Sequence, residues 1–185
     1  MGEQVRQGQA VPGHEAVAET LREAVRRQPR TMTLQLARDL GVPEVEVIRA
    51  FPADRAVELE ASRWEDLIRS FEALGPVRVL VSSGAATVEV DGWFGGFSTT
   101  GEFFNVQTDS LDLHIRWREL ACASAVEKPG HMDGRATSSI QFFDRAGDSA
   151  FKVFLNFGDP LAPERLRLFC RLRDEFRAAP GEAGE

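Results

Sequence analysis

The sequence predicts an α+β protein in which helices come first, antiparallel strands follow, and one helix closes the chain. Three observations predict this class. Apolar residues recur every three or four positions before residue 75, alternate with polar residues in 77–155, and return to helical spacing after Pro160. Helices and strands that are segregated along the chain are typical of α+β rather than α/β proteins.

Three predicted helices open the folded part of the chain. In residues 14–28 apolar side chains recur four positions apart, so that one face can pack. Residues 33–40 repeat this pattern and end at Gly41, a residue type that commonly terminates helices. Pro43 follows, and we expect it to be the first residue of the next helix, where proline is tolerated.

A fourth helix is predicted to begin at Ser62 and end at Leu74. Ser62 is the expected N-cap, because Glu65 three positions later completes the spacing of a capping box. Gly75 and Pro76 then break the helical pattern.

The central zone is predicted to form antiparallel strands, because apolar and polar residues alternate along it. One segment interrupts the alternation: residues 92–101 (GWFGGFSTTG) are expected to form a glycine-rich aromatic loop. After the strands, a closing helix is predicted over residues 160–176. The predicted strands cover residues 77–82, 87–90, 103–106, 111–117, 120–126, 136–143 and 150–155.

Composition sets the expected domain boundaries. Residues 1–13 and 178–185 are polar and contain glycine and proline, so both are expected to be disordered tails. The remaining residues, 14–177, are expected to form a single domain.

The charge and the apolar pattern argue against two classes of partner. The chain carries a net charge of −7 and has a pI of about 5.1, which disfavours nucleic acid and anionic membranes as partners. Its longest apolar stretches fall far short of the roughly 20 residues that span a bilayer. The N-terminus lacks the apolar segment of a secretory signal, so we expect a cytoplasmic protein without nucleic-acid or membrane partners.

Several residue types limit the chemistry. The two cysteines, Cys122 and Cys170, have no metal-binding spacing and are expected to be reduced, buried thiols. Tyrosine is absent, which removes tyrosinate as a ligand of iron or haem. No phosphate-binding, dinucleotide-binding, nucleophile-elbow or zinc-protease motif occurs, so nothing indicates a hydrolase or a transferase.

Two stretches resemble the HemS/ChuX (HutX) haem-utilisation family. Residues 110–156 are similar to the closing strands of one half of a HemS-type tandem protein, with Ser-x-x-Phe-Phe-Asp, a glycine turn and a Lys-Val-Phe strand. Residues 76–107 follow a helix as in the family, and the strand 103–106 (FFNV) resembles that of the ChuX branch. The resemblance identifies a single-half member and implies a curved antiparallel sheet flanked by helices. It also implies a homodimer that carries haem in the cytosol.

His114 is the candidate iron ligand. Alternation along its strand puts Leu113 and Ile115 on one face, and Asp112, His114 and Arg116 on the other. In the functional interpretation, His114 ligates haem iron through its neutral imidazole and Arg116 lies near a propionate. In the alternative interpretation, His114 pairs with neighbouring polar groups on a solvated sheet face.

The other candidate haem-binding residues are Arg78, Trp93 and Phe94. The rings of Trp93 and Phe94 are suited to covering a flat porphyrin, although the loop that carries them equally fits a hydrophobic cover over a sheet edge or a dimer contact. Arg78 offers a cation for a carboxylate, and ordinary solvated strand charge is the alternative.

Four functional hypotheses remain open at this point. The first is a haem-binding and trafficking protein, the second a haem-degrading enzyme, and the third an interaction or regulatory module that has lost haem. Residues 81–86, where the tandem relatives carry a haem-ligating histidine, contain none, which favours the third. A helix-turn-helix-like pattern suggests DNA binding, but Glu44 and Glu46 lie where basic residues would meet phosphates.

Overall fold

Residues 14–155 and 161–179 of the 185-residue chain are described by a computed structural model. The predicted tail 1–13 and the start of the predicted closing helix, 160, lie outside these ranges. The predicted C-terminal tail begins inside them, and there the Ala178 amide donates a hydrogen bond to the Glu58 carbonyl (3.0 Å). The α-helices are α1 (His14–Arg27), α2 (Thr33–Leu40), α3 (Glu44–Arg49), α4 (Trp64–Ser70) and α5 (Pro163–Glu175).

The strands form two sheets, and every pairing within them is antiparallel. The larger sheet has six strands in the order β1-β7-β8-β9-β2-β3, and the smaller has three in the order β4-β5-β6. This arrangement of helices, antiparallel sheet and closing helix confirms the predicted α+β class. The strands are β1 (Ala56–Leu59), β2 (Val77–Ser82), β3 (Thr87–Gly92), β4 (Ser98–Thr100), β5 (Phe103–Gln107), β6 (Asp112–Arg116), β7 (Leu120–Pro129), β8 (Ala136–Asp144) and β9 (Ser149–Phe154).

Two strands and one cap differ from the predictions. β1 and β4 were not predicted, because each is too short to show a period of two and β4 is entirely polar and exposed. The capping-box prediction at Ser62 is wrong. Ser62 lies in a short 3-10 helix before α4, and its hydroxyl donates to the Glu60 carboxylate (2.8 Å) instead of capping a helix. Gly41 ends α2 in the left-handed conformation (φ 67°), as predicted, whereas Pro43 is the N-cap of α3.

One apolar core joins the two sheets to the later helices. The inward faces of β5 and β6 meet α4, α5 and the inner face of the six-stranded sheet. Burying apolar side chains of this size supplies most of the favourable free energy of folding. The largest buried contributors are Leu67, Ile68, Phe71, Phe104, Phe142, Phe169 and Phe176.

The N-terminal helices cover the opposite face of the six-stranded sheet. Val45 and Ile48 of α3 pack there against Val126 and Phe143. Alternation explains this second layer, because Phe143 points away from its neighbour Phe142, which belongs to the main core. The six-stranded sheet is therefore buried on both faces along β7 and β8.

A buried ion pair lies within this helix–sheet contact. The Lys152 ammonium contacts the Glu44 carboxylate at 2.5 Å, and the Thr33 hydroxyl donates to the same carboxylate oxygen. Their side chains are 9% and 0% exposed for Lys152 and Glu44. Because each charge is removed from water, each depends on the other, and together they join α2 and α3 to β9.

We expect Lys152→Ala to lower the free energy of unfolding by ~3–5 kcal/mol, because it leaves the Glu44 carboxylate buried without its cation. The double variant Glu44→Leu/Lys152→Met should recover most of this loss. Urea unfolding followed by circular dichroism measures both. Glu65→Gln, which removes an exposed ion pair to Arg69 (2.8 Å), is the control and should cost less than ~1 kcal/mol. An equal cost for Lys152→Ala and the control would contradict the structural role of the pair.

Candidate functional site

The polar outer face of the β4-β5-β6 sheet carries the candidate site. Cross-strand register places Asn105 opposite His114, and Phe103 opposite Arg116. Ser98 of β4 lies opposite Asn105 on the other side. Because the alternate residues of β5 and β6 are buried in the core, these side chains must all project outward from the same face.

The imidazole of His114 is oriented by a buried amide. Its Nδ1 lies 2.7 Å from Oδ1 of Asn105, and the Asn105 Nδ2 group donates to the hydroxyls of Ser98 (3.1 Å) and Thr100 (3.4 Å). The His114 side chain is 53% exposed, and its Nε2 lies 3.3 Å from Oδ1 of Asp112. One ring nitrogen is therefore engaged within the sheet, while the other is at the surface.

A cation and an aromatic ring lie beside the histidine. The Phe103 ring meets the imidazole edge to face, with centroids 6.3 Å apart. The Arg116 guanidinium lies over the same Phe103 ring, 5.4 Å from its centroid. It also forms an ion pair with the Glu102 carboxylate at 3.5 Å. Since the Arg116 side chain is 63% exposed, this ion pair is screened by water and easily exchanged for another anion.

Arg78 lies on the other sheet and is engaged by acidic partners. It forms a two-pronged hydrogen bond with the Asp91 carboxylate (2.6 and 2.9 Å) and lies 3.3 Å from Glu89. The hydrogen bond from Arg78 lowers the pKa of the Asp91 carboxyl. Arg78 is on β2, so the structure does not bring it into the contacts that join His114 and Arg116. Its haem-binding role stays a prediction.

The aromatic loop divides its rings between surface and core. Trp93 is 54% exposed, and its backbone is held by Ser110 and Thr108. Phe94 is only 3% exposed and meets Phe71 edge to face in the core. Phe94 is therefore packed in the core, and its contact with haem, like that of Trp93, stays a prediction.

A cavity of about 590 Å³ lies elsewhere, between α3, β1 and the β8–β9 turn. None of the five predicted site residues lines it. Its charged lining residues are mostly acidic, and burial raises the pKa of its cysteine, Cys122, to about 11, which keeps the thiol protonated. The size of this cavity would suit a ligand, but the chemistry singled out by the sequence is on the open sheet face.

Sequence reasoning missed Asn105 as a site residue. The available indication was the residue type itself, because asparagine is depleted in strands and here it interrupts an apolar strand between Phe104 and Val106. Its partner on β6 depends on cross-strand register, which no local pattern reports.

A family profile decides the relationship. The profile described as haem utilisation ChuX/HutX matches residues 57–172, which is more than half of the chain. The chain belongs to this ChuX/HutX family. This confirms the resemblance found in the strands.

Relatives of known structure or function agree with the assignment. The chain is 22% identical to the intracellular heme transport protein HutX of Vibrio cholerae, over 88% of this chain and 86% of HutX. The structure of the heme-binding protein ChuX superposes with a TM-score of 0.74 at 22% identity, covering 84% of this chain and 97% of ChuX. Apo-PhuS, a heme-binding protein from Pseudomonas aeruginosa, gives a TM-score of 0.71 at 23% identity.

The match to PhuS supports the single-half interpretation. It covers 97% of this chain but only 52% of PhuS, so this family member corresponds to about half of the longer protein. At these identities the superpositions establish the fold. None of the helices in residues 14–155 and 161–179 combines the length and apolarity needed to cross a membrane.

The His114 face has the donor set that haem requires of a protein. Haem brings its own iron, for which the protein would provide a ligand, and imidazole is a common one. His114 Nε2 is at the surface, the Phe103 ring offers an apolar contact, and Arg116 offers a cation for a propionate. The chemical types of these residues are therefore compatible with haem, the group after which the family is named.

Two glycines flanking β4 test how this face is built. Both have positive φ, +56° at Gly96 and +59° at Gly101, but only at Gly96 would an added Cβ overlap the Gln107 carbonyl oxygen of β5. We expect Gly101→Ala to cost ~1–3 kcal/mol from backbone strain alone, and Gly96→Ala to cost clearly more because β5 must also shift. Urea unfolding of the two variants makes the comparison. Equal costs would show that the loop does not pack closely on β5.

Proposed function

We propose that this protein binds haem and carries it inside the cell, with His114 as the axial ligand of the iron. The observation that carries the proposal is the His114 imidazole on the outer face of the β4-β5-β6 sheet: Nδ1 is anchored by Asn105, and within the described residues Nε2 contacts only the exposed carboxylate of Asp112, which a ligand can displace. The names of three relatives support haem as the bound molecule, since HutX is a heme transport protein and ChuX and PhuS are heme-binding proteins. Bound haem would supply the iron, and the chain's own residues would hold and orient it.

The roles of the neighbouring residues follow from their contacts. Arg116 would hold a haem propionate in place of Glu102, its exposed ion-pair partner at 3.5 Å. Phe103 would offer an apolar contact to the bound haem, since its ring already meets the His114 imidazole edge to face. Trp93 and Arg78 lie outside the contacts that join Phe103, His114 and Arg116, and our proposal gives neither residue a direct contact with haem.

We also propose that the protein is a homodimer that assembles through the β3 edge of the six-stranded sheet. Within the described residues β3 pairs only with β2, so one edge of β3 is free to pair with another chain. Val81 and Val88 are directly opposite each other at this edge and are 39% and 59% exposed. A second copy related by a two-fold axis would pair β3 with β3 and cover both valines.

Haemin titration tests the ligand. We expect a saturable shift of the Soret band with wild-type protein and a loss of affinity of at least roughly tenfold in His114→Ala, because the iron loses its axial ligand. His131→Ala removes a histidine of the loop between β7 and β8, outside the His114 contacts, and should leave the titration unchanged. Arg116→Gln should weaken binding less than His114→Ala, because the Arg116 contact is exposed to solvent.

The same titration separates the other hypotheses. A shift that His114→Ala leaves unchanged would overturn the assignment of the ligand. Bleaching of the bound haem on addition of reductant would indicate a haem-degrading enzyme, and no shift at all would indicate a module that has lost haem. Each result contradicts the proposed function in a different way.

Light scattering coupled to gel filtration tests the dimer. We expect Val88→Lys to shift the protein towards monomer, because a lysine at the centre of the proposed contact would be buried without a partner. Thr87→Lys introduces the same charge on the opposite face of the same strand and is the matched control. Identical masses for Val88→Lys and wild type, both monomeric or both dimeric, would rule out this edge as the interface.

A further inference from the structure

Asn105 occupies an unusual position for an amide. It is 5% exposed in the middle of β5, between Phe104 and Val106, which are both fully buried in the core. Its side chain is on the outer face of the small sheet, where the His114 side chain shields it from water. A buried amide needs partners for its donors and its acceptor, and Ser98, Thr100 and His114 provide them here.

In the orientation that the Asn105 amide takes in the structure, its carbonyl oxygen faces the imidazole. Both of its donor contacts go from Nδ2 to the hydroxyls of Ser98 and Thr100. The remaining atom, Oδ1, can only accept, and the atom it faces is His114 Nδ1 at 2.7 Å. A neutral imidazole in this contact must carry its hydrogen on Nδ1, so Nε2 keeps its lone pair.

A second acceptor competes for the same proton. Asp112 Oδ1 lies 3.3 Å from His114 Nε2, and a hydrogen on Nε2 would donate to it. That contact is longer than the one to Asn105, and the Asp112 side chain is 63% exposed. We take the shorter, half-buried contact as the stronger of the two, because water competes more for the exposed carboxylate.

We propose that Asn105 is the positioning residue of the site, which holds neutral His114 as the Nδ1–H tautomer so that Nε2 is free to bind iron. The proposal rests on the proposed function in one respect, that the ligand of Nε2 is haem iron. An acceptor behind a ligating imidazole fixes the direction of the ring and makes the ligand nitrogen more basic. Asn105 itself would touch neither the haem nor the iron.

The tautomer can be measured without haem. The chain has three histidines, so long-range ¹H–¹⁵N correlation spectra of the apo protein can be assigned with His14→Gln and His131→Gln. At a pH where the ring is neutral, we expect wild-type His114 to show the Nδ1–H pattern. Asn105→Asp retains an acceptor and should keep that pattern, whereas Asn105→Leu should move the hydrogen to Nε2, towards Asp112.

Haem provides the second readout. We expect Asn105→Leu to weaken haemin binding roughly tenfold and to lower the iron–histidine stretching frequency of the ferrous form, because the ligand nitrogen becomes less basic. Asn105→Asp should restore affinity and raise the frequency. Thr99→Val is the control, since Thr99 is an exposed residue of β4 that lies opposite Phe104, on the other face from Ser98 and Thr100; we expect no change.

The outcomes separate this proposal from the proposed function. An Nε2–H pattern in wild-type apo protein would overturn the role of Asn105 even if His114 binds haem. Equal affinities and stretching frequencies for Asn105→Leu and wild type would also overturn it. A wild-type Nδ1–H pattern without any haemin binding would overturn the haem function and the ligand role, while supporting the hydrogen-bond assignment.

Discussion

The candidate site depends on the burial of alternate residues in β5 and β6. Phe104 and Ile115 lie opposite each other and point into the core that both sheets share. Because successive side chains of a strand point to opposite faces, burying these two forces Asn105 and His114 onto the outer face, again opposite each other. A slip of one residue in either strand would separate the amide from the imidazole, and the cost of exposing the core prevents it.

The six-stranded sheet provides the support for this arrangement and is itself stabilised from two sides. Its inner face packs against α4, α5 and the small sheet, and the outer face of β7, β8 and β9 packs against α2 and α3. The outer contact combines apolar packing with the buried Glu44–Lys152 pair. A buried pair of this kind requires one relative placement of helix and strand, because any other placement leaves a charge without a partner.

The site is an open platform rather than an enclosed slot, and this suits carriage. A ligand on an exposed face can be transferred to another protein without unfolding of the carrier, although it also loses less water on binding than it would in a closed pocket. The family match and the superposition on ChuX and PhuS place this chain among proteins whose names record haem binding, and the His114 face is where its own residues offer the chemistry.

The sequence alone determined the class of fold, most strand positions, and the outward direction of His114, since all three follow from local periodicity. The tertiary structure decided the rest. It split the strands into two sheets, added β1 and β4, buried Phe94, engaged Arg78 with Asp91, and placed Asn105 behind His114. Local spacing reports which face a side chain takes, but its partner across a sheet is set by strand register and by the packing of distant elements, which only the folded chain specifies.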